Sequence, residues 1–226
     1  MNASGVKEAP SATVRVSAWD IHGGSYPPYD ILRQKPPDRL ERCLTPLSTD
    51  SGSHALGPVD AILITGAAPG VYEIERHAWM QNLEVYIRVV FQNYRHVQIL
   101  GSCFGHQIIA KTILPDFGST YQVGVEKCPL GREVGIYEVQ MNHAFTRTFP
   151  VLNKLPEGKL RVQMMHADWV SVTRRDSDKR SMSLPHPWQN IGSTAICPIQ
   201  GLYYPGRVFT VQGHFETGCF CDDQSM

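Results

Sequence analysis

The chain has no uninterrupted apolar run of about eighteen residues, so its sequence offers no helix able to span a bilayer. Neither sign of charge is in surplus: Lys plus Arg and Asp plus Glu each number 21, so no global field selects nucleic acid or an anionic membrane. The opening "MNASGVKEAPSATVRV" lacks the apolar centre of a secretory signal, and residues 1–12 read as a flexible polar lead-in. Without such a signal, Cys43, Cys103, Cys128, Cys197, Cys219 and Cys221 are expected as reduced thiols of a cytoplasmic protein, not as a disulfide framework. Cys219 and Cys221 follow His214 closely, yet no second close pair completes a four-ligand zinc set. No internal repeat or long low-complexity segment is present.

What is present divides into two halves. Residues 13–19, "TVRVSAW", alternate as a first strand, and the Gly- and Pro-rich stretch after them reads as loop, with a short helix around 38–44. "VDAILITG" (59–66) is a continuous apolar run ending in glycine, the pattern of a strand buried on both faces. Over 73–94, Trp79, Leu83, Ile87, Val90 and Tyr94 recur at three- and four-residue steps, which predicts an amphipathic helix. "HVQIL" (96–100) is a second buried strand and "GHQIIAKTIL" (105–114) the next helix. From about 120 the pattern turns to strands: "TYQVGVE", "EVGIYEVQM", "LRVQMMH", "STAICPI", "GLYYP" and "RVFTVQGH". The expectation is one α/β domain over 13–216, with residues 217–226 as a tail. It would have a flavodoxin-like, mostly parallel central sheet, helices on both faces, and a small antiparallel portion in the second half. Sites in such sheets form where strands run into helices, and Gly66 and Cys103 fall at such points.

Gly101-Ser102-Cys103-Phe104-Gly105 has the form of a nucleophile elbow. Small residues two before and two after the nucleophile permit the sharp strand-to-helix turn. The positive end of the following helix favours an anionic sulfur. The Phe104 N–H then faces an oxyanion formed at the attacked carbonyl, and Gly66 or Ala67 offers a second donor. His214, at the end of "VFTVQGH", can shuttle the proton, and Glu216 can orient its ring, so Cys103, His214 and Glu216 form a triad by role. A packed core cysteine is the alternative reading of Cys103.

These residues resemble the class I, or triad, glutamine amidotransferase superfamily. "GSCFGHQ" is similar to its G-x-C-x-G-H-Q segment, "VQGHFE" to its Q-x-H-P-E, and "LITGAAPGVYE" to its oxyanion loop. "MHADWV", "GREVGIYEV" and "YYPGRVFTVQGH" resemble the guanylate-synthase-like branch, which includes stand-alone fungal proteins and plant γ-glutamyl peptidases. The resemblance implies attack of Cys103 on a γ-glutamyl amide, with His214 as base and Glu216 as its orienter. Phe104 and Gly66 would make the oxyanion hole, and Gln107, Ala67, His166 and Asp168 would line the substrate pocket. It implies no metal or organic cofactor. Passing ammonia onward would require a synthetase or pathway partner protein, and stand-alone fungal relatives suggest tailoring of a specialised metabolite. Gln107 read simply as a helix-surface residue, and His166 and Asp168 read as turn residues closing a β-hairpin, remain open. Trp79 and Trp169 are expected as core or edge aromatics, and "TRRDSDKRS" (173–181) as a solvated loop.

Three departures bear on activity. Phe215 stands where the pattern has proline, and Ala67 where the oxyanion loop has serine or glycine. The ten residues after Glu216 are too short and polar for the further helix that relatives pack beside the histidine, which leads to the expectation of a looser His214. A non-catalytic subunit that regulates a partner enzyme is therefore the second function expected.

Overall fold

The computed structural model describes residues 16–19, 60–174 and 184–215. The short helix read around 38–44, most of the loop 173–181, Glu216 and the tail lie outside them. The first half alternates as the apolar runs require. Strand β1 (Val16–Trp19) is followed by β2 (Ala61–Ile64), helix α1 (Ala78–Asn93), β3 (Gln98–Ser102) and helix α2 (Phe104–Ile113). The helix expected over 73–94 begins only at Ala78. His77 is extended (φ −129°, ψ 91°) and separates α1 from a 3-10 turn over Val71–Arg76.

The second half supplies β4 (Tyr121–Lys127), β5 (Glu133–Met141), α3 (His143–Thr148), β6 (Lys159–His166) and β7 (Asp168–Arg174). Four short strands follow: β8 (Gln189–Asn190), β9 (Gly192–Ser193), β10 (Gly201–Tyr204) and β11 (Val208–Val211). The central sheet runs β1-β2-β3-β11-β10-β8. Its first three pairings are parallel and its last two antiparallel, the mixed α/β architecture expected.

Two cores flank this sheet. Ile62, Ile64, Ile99, Leu202 and Val208 pack with Met80, Leu83, Ile87 and Val90 of α1 and Ile108, Ile109 and Ile113 of α2. On the other side Phe209, Val211 and Tyr203 meet Val139, Met141, Met164 and Phe145, from the small sheet β6-β5-β9 and α3. The period-two alternation of β10 and β11 is the reason successive residues serve opposite cores.

One expectation, and one of the readings left open, fail here. Of "STAICPI" only Ser193 is strand, as the second residue of β9. After it the chain closes a turn in which Thr194 and Cys197 exchange backbone and side-chain hydrogen bonds. His166 and Asp168 do not close a β-hairpin: β6 pairs with β5 and β7 with β4, so the two residues straddle a crossing between sheets.

Candidate functional site

β3 ends one residue before Cys103, whose own N–H donates to Val211 O (3.0 Å) and so ties the elbow to β11. Cys103 takes φ 51°, ψ −109°, a conformation non-glycine residues adopt only under constraint. The neighbouring glycines explain how the turn fits. A Cβ on Gly105 would lie 2.0 Å from the Ile64 carbonyl oxygen, and one on Gly101 would lie 2.8 Å from the Gly105 carbonyl carbon. Helix α2 therefore rises directly off the sheet, with Phe104 and Gly105 in its first turn, where amides have no partner four residues back.

His214 arrives from the opposite direction. β11 stops at Val211, so the histidine sits three residues beyond the strand end, on a turn pinned by His214 N–H to Gln163 O (2.8 Å). Ser102 Oγ donates to Gly213 O (3.1 Å), joining the elbow to this turn. Gly66 marks where the parts converge. A Cβ there would lie 3.0 Å from His214 Cε1, 3.9 Å from its Nδ1 and 3.7 Å from Cys103 Cβ. Gly66, Cys103 and His214 thus surround one point, and a larger residue at 66 would press on the ring. Ala67 packs against the main core beside it. Glu216 lies outside the described residues.

The other candidates also gather here. Gln107 is buried, not on a helix surface: its Nε2 donates to Gln212 Oε1 (3.2 Å) and lies 3.5 Å from Asp168 O. Phe104 is buried with its ring 5.5 Å from that of Trp79, as expected of a core aromatic. Asp168 is half-buried. Desolvation raises its carboxyl above the ordinary range, opposed by Lys127 and by a hydrogen bond from the Tyr72 hydroxyl. Tyr72 is raised in turn, by burial first and then by the charges of Asp168 and Glu73.

His166 is almost wholly buried between two acceptors. Nδ1 donates to the Asp168 carbonyl (2.9 Å), and Nε2 lies 2.8 Å from Glu133 Oε2. Glu133 Oε2 also accepts from Gln200 Nε2 (2.6 Å). His106 packs behind the elbow, its Nδ1 2.8 Å from Thr210 Oγ1. Burial, then the charge of His166, pushes its pKa down to about 3 against a hydrogen bond with the Ile199 backbone.

Tyr72, Glu133, Met165 and Gln212 were not singled out by sequence reasoning. Only Glu133 left a signal. It shares the inward register of β5 with Val139 and Met141, so period two places a carboxylate in the interior.

No family profile matches the chain. It is 29% identical over 160 residues to a Schizosaccharomyces pombe protein provisionally named glutamine amidotransferase-like, covering 70% of this chain and 53% of that one. A Saccharomyces cerevisiae protein provisionally named a glutamine amidotransferase is 28% identical over 69% of this chain and 52% of its own. The chain thus spans about half the length of the curated relatives it matches. Among solved structures, a Thermoplasma acidophilum protein provisionally named as part of a GMP synthase superposes with a TM-score of 0.58. That match has 24% identity and covers 90% of this chain and 84% of the other. The resemblance read from "GSCFGHQ" and "VQGHFE" is borne out: the chain has the fold of the class I glutamine amidotransferases and is similar in sequence to fungal proteins named after them.

Proposed function

We propose that the protein is a cysteine-dependent amide hydrolase acting on γ-glutamyl amides, with Cys103 as nucleophile and His214 as base. The single observation that carries this reading is the convergence of Gly66, the strained Cys103 and the His214 ring around one point at the start of α2. In the first step Cys103 Sγ bonds to the amide carbonyl carbon and its proton passes to His214. The Phe104 N–H, with Gly66, stabilises the oxyanion. His214 then gives the proton to the departing amine, the C–N bond breaks, and a thioester remains. Water attacks the thioester, returning its proton through His214 to the sulfur and releasing glutamate. Glu216 orients the His214 ring, and Gln107, Ala67, His166 and Asp168 shape the glutamyl pocket. Delivery of the released ammonia to an acceptor calls for a partner protein. Tailoring of a specialised metabolite is one setting for such a hydrolase.

The second reading, a non-catalytic subunit regulating a partner, is favoured by one observation. Cys103 Sγ lies 3.9 Å from the Met165 carbonyl, and the residue is 9% exposed, so entry to the thiol is narrow. Intact-mass analysis after incubation with a chloroketone analogue of glutamine separates the two, with Cys103→Ala as the control. The catalytic reading expects one adduct on the parent alone, together with glutamate release from glutamine or a γ-glutamyl conjugate. A folded parent that forms no adduct refutes it.

A further inference from the structure

We propose that Glu133 is a positioning residue of the site: it holds His166 so that the segment 165–168 presents its carbonyls to Cys103 and Gln107. The inference rests on the γ-glutamyl reading above. It starts from a carboxylate, 1% exposed, that no step of the proposed reaction uses. Glu133 opens β5 directly opposite His166 in the antiparallel register, and both side chains point inward. Its Oε2 receives His166 at 2.8 Å and the Gln200 amide at 2.6 Å, so one oxygen anchors two groups. Gln200 is itself fixed by Thr194 Oγ1 at 3.1 Å.

The other face of the imidazole carries the consequence. Nδ1 faces a carbonyl, so it must donate, and it does so to Asp168 O at 2.9 Å. That same carbonyl lies 3.5 Å from Gln107 Nε2, and the carbonyl one residue before His166 lies 3.9 Å from Cys103 Sγ. A ring gripped from one side only would be free to rotate about χ2 and release the crossing between β6 and β7. A ring gripped from both sides fixes it. Glu133 therefore acts through His166 on the pocket wall, without touching substrate.

The test compares two alkylating agents on Cys103. The chloroketone analogue of glutamine needs the pocket, whereas iodoacetamide needs only the thiol. In Glu133→Ala, chloroketone labelling should slow about tenfold or more while iodoacetamide labelling stays within about twofold. Glu133→Gln keeps the volume and a hydrogen-bonding partner for the ring, and should recover most of the lost rate. If Glu133→Ala does not fold, Glu133→Asp, which draws the carboxylate back by one methylene, should show the same selective loss at smaller size. Equal slowing of both reagents, no slowing of either, or no recovery in Glu133→Gln would overturn the proposal.

A ring-selective nitrogen NMR spectrum reads the same arrangement without substrate. In the parent the His166 Nδ1 proton donated to the Asp168 carbonyl should exchange slowly, and removal of Glu133 should speed that exchange by freeing the ring to rotate. A parent that ignores the chloroketone defeats the γ-glutamyl reading alone, and the ring spectrum then decides for or against Glu133.

Discussion

Replacing Gly105 with alanine tests the elbow through its packing rather than its sulfur. Gly105 is the second residue of α2, where intrinsic propensity favours alanine over glycine by about 0.5–1 kcal/mol. Against this, the new methyl carbon would sit 2.0 Å from the Ile64 carbonyl oxygen and 2.7 Å from its carbon. Ile64 belongs to β2, which is paired on both sides within the central sheet, so the strand cannot yield and the helix must move. Forcing a methyl into a filled site costs about 1–3 kcal/mol, and a contact against backbone lies at the upper end. The net effect is a loss of about 2 kcal/mol, which lowers the thermal midpoint by about 4–8 °C in a domain of this size. The same shift carries the Phe104 N–H away from its place beside the thiol. A displacement of about 1 Å can reduce rate about a hundredfold, so chloroketone labelling should fall further than stability alone dictates. Calorimetry with intact-mass kinetics reads both effects. A midpoint that stays level or rises, with labelling unchanged, would show that α2 is not seated against β2 as described.

Other perturbations address separate parts of the molecule. His106 has a folded pKa of about 3 against 6.5 when unfolded, so below pH 6.5 the unfolded chain binds a proton that the native one does not. Native stability should fall by up to about 1.4 kcal/mol per pH unit from 6.5 towards 3 through this group. His106→Asn, which keeps an acceptor near Thr210, should show a correspondingly shallower decline in urea midpoints between pH 6.5 and 5; parallel curves would refute the assignment. Arg207 donates to the carbonyls of Phe91, Tyr94 and Val97, each at 3.2 Å, and lies over the Phe91 ring. Arg207→Ala should cost about 2 kcal/mol in denaturant unfolding, and Arg207→Lys should recover less than half, since one ammonium cannot fork across three carbonyls. Tyr72→Phe removes the hydroxyl that Asp168 accepts from, and should raise KM for γ-glutamyl release about fivefold with kcat nearly unchanged. A fall in kcat alone would place Tyr72 in the chemistry instead of the pocket.

The mixed sheet was legible because its strands announce themselves by composition. "VDAILITG" and "HVQIL" are apolar at most positions, as strands covered on both faces must be, and they became β2 and β3. "EVGIYEVQM" is β5 residue for residue. The misreadings have local causes. Trp79 through Tyr94 keep helical period well enough to suggest a start near 73, yet nothing in that pattern marks His77 as extended. "STAICPI" has the composition of a strand, but Thr194 and Cys197 satisfy each other in a turn. The elbow could be read from its glycines, whose steric need is local. Tyr72 and Gln212 could not, because their roles depend on which loops the fold brings together. The hairpin reading of His166 and Asp168 stayed open for the same reason: adjacent strands in sequence give no sign that they belong to different sheets.

The site is therefore assembled from segments that meet only after the sheets have docked. Val211 O holds the Cys103 amide, Gly213 O holds Ser102, and Gln163 O holds the His214 amide. The first two bonds lie within the central sheet and its exit turn, whereas the third comes from β6 of the small sheet. Cys103 is thus positioned by short-range sterics, Gly101 and Gly105 on either side of one turn. His214 depends on a contact between two sheets whose shared core is Met164, Val139, Phe209 and Val211. Two ways of losing the proposed activity follow. Changes near the elbow displace the Cys103 thiol, while changes in the small sheet leave the thiol in place and move the ring. Met164→Ala tests the distinction: Met164 is 1% exposed, and truncation costs about 2–5 kcal/mol in that second core. Iodoacetamide should then still label Cys103 below the unfolding transition, slowed only as far as the displaced ring lowers the thiolate fraction, while chloroketone labelling falls about tenfold or more beyond that. Loss of both reactivities together, in protein still folded by near-ultraviolet dichroism, would show that elbow and ring are held as one unit.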